Sequence, residues 1–151
     1  EFERIAKKSP GSPAGRKALF FAADAAMRAE DFDRASKLFE SLARSVEDAN
    51  ELSIVRYKYA EALEARGDYE AAAGVFEELS SDRSSPLREL ALFGAASCYR
   101  KLERWADAAR LYETILNDYP DSLMRQDASD GLVFVQMKLK AEPEVQAREH
   151  E

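Results

Sequence analysis

The sequence predicts an all-α fold, a solenoid of three helix-turn-helix repeats followed by a C-terminal capping helix. The first observation is internal self-similarity. Phe32, Tyr69 and Trp105 recur at spacings of 37 and then 36 residues, as do Ala35, Ala72 and Ala108, then Phe39, Phe76 and Tyr112, then Leu42, Leu79 and Ile115. Four sets sharing one pair of spacings mark a repeat array with a period of a few tens of residues. The second is periodicity, because apolar residues within each segment fall three and four apart and so make one helical face. The third is punctuation: Ser12-Pro13, Ser85-Pro86 and Tyr119-Pro120-Asp121-Ser122 separate the segments.

In order, residues 1–12 read as the tail of a helix, with Phe2 and Ile5 at helical spacing, and a linker through Ser9-Pro10-Gly11-Ser12. Ser12 caps the next helix and Pro13 suits its first turn, where a missing N–H costs nothing. Ala14–Glu30 is the first long helix, carrying Leu19, Ala22, Ala23 and Ala26 on one face, and Asp31 is the turn. Phe32–Val46 is its partner, and the polar stretch Glu47–Asn50 reads as a loop. Glu51–Arg66 ends at Gly67-Asp68, since glycine takes the left-handed conformation that closes a helix. Tyr69–Leu79 follows, then the polar break Ser80–Ser85. Pro86–Leu102 and Trp105–Asp118 form the third pair. Leu123–Lys140 is a final helix that caps the array, and 141–151, with Pro143 and mostly polar residues, reads as a flexible tail. The repeats therefore span about 14–48, 51–82 and 86–119 within a solenoid of residues 13–140.

Composition bounds the function. With 151 residues, one domain is the natural expectation. Hydrophobic residues at 46% and charged residues at 34% suit a helical domain with a real core and argue against disorder. The net charge of −7 disfavours nucleic acid as a partner, because phosphate binding needs clustered Lys and Arg. One cysteine excludes an internal disulfide and a multi-cysteine zinc site. No apolar run approaches the roughly 20 residues of a membrane helix. The chain starts at Glu1 without Met, so a processed or trimmed form is expected, and membrane attachment would run only through an anchor outside this chain.

The residues resemble the tetratricopeptide repeat family. Ala23, Ala60 and Ala96 match the small residue inside its first helix. Phe32, Tyr69 and Trp105 open the second helices, Ala35, Ala72 and Ala108 match the small crossing position, and Phe39, Phe76 and Tyr112 the next aromatic. Pro120 matches the terminal proline. The period departs from the family's usual 34. The glycine before the second helix survives only as Gly67, with Glu30 and Glu103 in its place elsewhere. The resemblance covers roughly Pro13–Lys140 and implies a right-handed solenoid that binds proteins without catalysis. The phrase Asp118-Tyr119-Pro120-Asp121-Ser122 is similar to a bacterial branch, the periplasmic and outer-membrane lipoprotein repeats of the Tol–Pal coordinator and outer-membrane assembly type. That likeness implies a cell-envelope setting, periplasmic or outer-membrane-anchored, with a cytoplasmic setting as the alternative.

The family register aims Phe20, Tyr57 and Phe93 into a concave groove as an aromatic stripe, with Asp24, Glu61 and Ser97 one turn on and Met27, Glu64 and Arg100 beyond. Such a groove suits a partner protein or peptide with apolar anchors and some basic character. Aromatics at helical spacing equally suit a core, and that reading stands beside this one. The carboxylate-terminus clamp of some family members needs Lys, Asn and Arg where Phe20, Asp24, Tyr57 and Glu61 stand, so acidic C-terminal tails are not expected to bind. Two alternatives remain open: a homo-oligomer formed through the stripe or through Leu123–Lys140, and an accessory subunit holding a small hydrophobic ligand for a transport system. No cofactor, metal or catalytic residue is expected. The lone His150 lies in the tail, and Cys98 takes the place of Ala25 and Ala62, which favours packing over nucleophilic chemistry.

Overall fold

A computed structural model of the chain describes residues 2–8 and 11–148, with side chains through residue 141. Among the described residues the fold is all-α: eight helices packed sequentially in pairs, as in a tetratricopeptide-type helical array. They are α1 (Phe2–Lys8), α2 (Pro13–Arg28), α3 (Phe32–Ala43), α4 (Ala49–Arg66), α5 (Tyr69–Ser80), α6 (Arg88–Lys101), α7 (Trp105–Asp118) and α8 (Arg125–Arg148). No helix among the described residues is long and apolar enough to cross a membrane.

The repeated stripe is the core. Ala35, Ala72 and Ala108 are all 0% exposed, and Phe39, Phe76, Tyr112, Leu42, Leu79 and Ile115 are buried with them. The small residues let helix backbones approach, and the aromatics fill the gaps. The openers Phe32, Tyr69 and Trp105 are half-buried.

The chain divides into two compact units, Glu1–Val75 and Phe76–Glu151, with the division inside α5. In the first, α1 packs on α2, α2 on α3 and α3 on α4. Ala23, Phe39, Leu42 and Val55 centre its core. Phe2 of α1 stands against Phe21 at 5.6 Å between ring centroids, and Glu3 pairs with Arg34. Between α3 and α4, Arg66 donates to the buried Ser36 hydroxyl at 3.1 Å. In the second unit, α6 packs on α7 and α7 on α8. Two glycines admit its aromatics: a Cβ at Gly94 would meet the Phe76 ring at 2.8 Å, and one at Gly131 the Tyr112 ring at 2.5 Å.

The helix junctions repeat as closely as the core. Ser12 caps α2, its hydroxyl accepting from the Gly15 N–H at 3.0 Å, with Pro13 in the first turn. After α2, α4 and α6 the chain closes in one way. The N–H of Asp31 bonds to the Ala26 carbonyl, that of Asp68 to Leu63 and that of Arg104 to Tyr99, each at 2.9 Å. This is the six-to-one bond of a Schellman motif, which requires a left-handed residue just before the donor. Gly67 fills that place at φ 92°, but Glu30 and Glu103 also adopt it, at φ 57° and 58°.

Several boundaries differ from the sequence expectation. α4 begins at Ala49, because Asp48 caps it by accepting from the Glu51 N–H at 2.8 Å, so Ala49 and Asn50 are helical rather than loop. α3 ends at Ala43, and Val46 is buried beyond its end. α6 begins at Arg88 and α8 at Arg125, two residues later than expected. A turn precedes each: Ser85 and Ser122 accept from the N–H two residues on through their hydroxyls (3.2 and 2.9 Å) and from the N–H three on through their carbonyls (3.1 and 3.2 Å). At the other end α8 continues to Arg148, so 141–148 is helical rather than a flexible tail. Pro143 removes one helical bond. Its neighbours Ala141, Glu142, Glu144, Gln146, Ala147 and Arg148 are nevertheless good helix formers, and propagation is cooperative. Ser9, Pro10 and His150 lie outside the described residues.

Candidate functional site

The nine residues expected to face a partner are all half-buried. In the first unit, α2 carries Phe20, Asp24 and Met27, and α4 carries Tyr57, Glu61 and Glu64. Phe20 and Met27 pack one side against the core. The Phe20 ring meets the buried Phe39 edge-on at 5.9 Å. In the second unit α6 carries Phe93, Ser97 and Arg100, and Phe93 meets the buried Tyr112 edge-on, also at 5.9 Å. The arrangement is one device used twice. A first-helix aromatic rests on the core aromatic 19 residues later and leaves its other side open.

Beside Phe20, the first unit has a hollow of about 460 Å³ between α2, α3 and α4, floored by Phe20, Phe21, Leu42, Ile54 and Val55. Phe21 and Ile54 are 42% and 49% exposed and stand together at this hollow. Arg16 and Lys17 stand at this hollow with Glu51, the Arg16 Nε 3.8 Å from the Glu51 carboxylate. Further along both helices, carboxylates carry cationic partners. Asp24 pairs with Arg28, and the Lys58 ammonium lies 2.7 Å from Glu61. Burial, with the charges of Glu61 and Glu64 beside it, pushes the Tyr57 hydroxyl up to about 12. A hollow of this size and lining has room for one apolar side chain.

Sequence reasoning missed Phe21 and Ile54. It followed one register position per repeat, while the Phe20-Phe21 doublet and the apolar Ile54, 37 residues after Lys17, were the available signals. Arg100, expected in the groove, also has contacts within the fold. The Arg100 guanidinium lies 4.8 Å from the Phe134 ring of α8 and donates to the Tyr112 hydroxyl at 3.4 Å.

The Asp118–Ser122 phrase has a local role. Arg88, 7% exposed, donates to Ser80 O at 3.0 Å, pairs with Asp118 at 2.8 Å and reaches the Tyr119 hydroxyl at 3.2 Å. Ser122 donates to Glu89. The phrase thus fastens the end of α7 to the start of α6.

Two family models match the chain, each described as tetratricopeptide repeat, one over residues 20–86 and one over residues 90–122. No curated protein matches it. The matches identify no catalytic family, and they lend no support to a periplasmic, lipoprotein or cell-envelope assignment. Repeats of this kind are typically non-catalytic and generally bind proteins or peptides as interaction scaffolds. With its paired helices, its repeated core stripe and both matches falling within residues 20–122, the chain belongs to the tetratricopeptide repeat family.

Proposed function

We propose that the chain is a docking scaffold whose α2–α4 face holds a partner segment with a bulky apolar anchor flanked by basic residues. The observation that carries this reading is the hollow floored by Phe20, Phe21, Ile54 and Val55, with acidic Asp24, Glu61 and Glu64 further along the same helices. The hollow is large enough for one aromatic or aliphatic side chain, and buried anchors of that kind dominate peptide affinity. Phe93 and Ser97 form the corresponding face of α6, while Arg100 turns to the Phe134 ring and the Tyr112 hydroxyl. A bacterial cell-envelope assembly as the setting is supported only by the Asp118–Ser122 phrase, and subcellular fractionation of the native host tests it.

Selection of a random peptide library on the 151-residue chain tests the scaffold reading. The expected pool carries an aromatic or aliphatic residue beside Lys or Arg, and it is lost on Phe21→Ala and Ile54→Ala. Both side chains are exposed, so these variants keep the fold. An acidic pool, or one retained by both variants, refutes the α2–α4 face as the docking site.

A further inference from the structure

We propose a second docking surface, at the Trp105–Phe134 corner of the second unit, that takes an acidic peptide segment carrying an apolar anchor. It goes beyond the α2–α4 reading, because it lies in the other unit and has the opposite charge preference.

The apolar part comes from α8. Val133, Phe134 and Met137 are 53%, 39% and 67% exposed and fall at i, i+1 and i+4, on one side of the helix. From α7, Trp105 meets Phe134 edge-on at 5.9 Å and widens the patch. Gln126, Asp127, Asp130, Gln136, Lys138 and Lys140, also exposed on α8, are polar, so Val133, Phe134 and Met137 stand out as an apolar patch.

The charge comes from two cations placed on the same rings. The Arg100 guanidinium carbon lies 4.8 Å from the Phe134 centroid, and the Lys138 ammonium lies 5.6 Å from Phe134 and 5.8 Å from Trp105. Several other arginines are matched to carboxylates: Arg28 to Asp24, Arg44 to Glu40, Arg88 to Asp118, Arg110 to Glu77. Among the described residues Arg100 and Lys138 face rings and make no carboxylate pair. In a chain of net charge −7, this patch sets two cations over the exposed Phe134 and the half-buried Trp105 rings. Carboxylates from a partner complete both cations, while Phe134 and Met137 receive its apolar anchor. The aliphatic Val133 and Met137 favour a peptide over a nucleic acid, which would need stacking rings and more cations there.

Trp105 is the only tryptophan, so the corner carries its own reporter. The 151-residue chain is titrated with a synthetic peptide of Glu residues around a central Phe and Leu, with its Lys-for-Glu counterpart, and with oligothymidylate, reading Trp105 emission. The expected result is a saturable change with the acidic peptide alone, weakened by salt and at least tenfold weaker in both Lys138→Glu and Met137→Ala. Both side chains are exposed, and circular dichroism checks that both variants fold. Phe21→Ala, which disables the α2–α4 face, leaves this titration unchanged, so failure of one surface is told from failure of the other. No saturable response by about 1 mM, equal binding of the Lys peptide, binding of oligothymidylate instead, or unchanged affinity in Lys138→Glu overturns the proposal.

Discussion

Replacing Glu103 with glycine should stabilise the protein, and so should replacing Glu30. Both glutamates hold the left-handed conformation that closes α6 and α2, at φ 58° and 57°. For a residue with a Cβ that conformation costs about 1–2 kcal/mol. Glycine adopts it freely but loses more chain entropy on folding, roughly 0.5–1 kcal/mol. Both side chains are exposed, and neither makes an ion pair among the described residues, so no contact is sacrificed. Each carboxylate also sits at a helix C-terminus, where a negative charge opposes the macrodipole by about 0.3–1 kcal/mol. The net expectation is roughly 0.5–1.5 kcal/mol per site. The sites lie in different units and share no partner, so the double variant should add. Urea unfolding followed by circular dichroism reads this as a higher midpoint at unchanged slope. Glu103→Ala separates the two causes, since it removes the charge and keeps the strained backbone. Gly67→Ala is the mirror experiment and should lose about 1 kcal/mol. If Glu103→Gly left the midpoint where it was, or matched Glu103→Ala, the strain account of these junctions would be wrong.

Two further outcomes are expected. Gly131→Ala drives a methyl into the Tyr112 ring and should cost about 1–3 kcal/mol, whereas Gly74→Ala, with nothing within 4 Å of its Cβ, should be neutral or stabilising in the same urea assay. Tyr57 and Tyr99 are both raised from 10.0 to about 12, Tyr57 by burial and the charges of Glu61 and Glu64, Tyr99 by burial and its hydrogen bond to Glu77. The unfolded chain therefore releases these protons first. Burial raises Tyr59 as well. The contribution of Tyr57 and Tyr99 is intact below pH 10 and is lost as pH rises towards 12, and spectrophotometric titration should find late tyrosines that become ordinary in urea.

The stripe of Ala35, Phe39, Leu42 and their repeats was legible because burial on a helix imposes a period, and three copies of the same packing problem received the same answer. The left-handed slots were legible by the same route, since Gly67 marks a place that Glu30 and Glu103 also fill. Ser85 and Ser122 were not. Each precedes a helix much as Ser12 does, but theirs close a turn first. Arg88 was illegible as a structural residue, because its partners Asp118 and Tyr119 are about 30 positions away and arginine alone reads as surface. The site was half legible. Register set the expected positions on α2, α4 and α6 but could not divide each side chain between core and solvent, and Phe20 and Phe93 are shared between the two. The apolar side of α8 was hidden for a different reason: Val133, Phe134 and Met137 carry the residue types of a core, so only the structure tells that no neighbour among the described residues covers them.

In each unit a helix packs on the one that follows it in the chain. Few loops must be closed before a contact forms, so the search is short and folding should be fast for a protein of this size. The same arrangement lets helices consolidate in the order in which a ribosome releases them. The α2–α3 pair already holds Ala23 and Phe39 of its core before α6 has been made, and α4 completes that core with Val55 and Ala62.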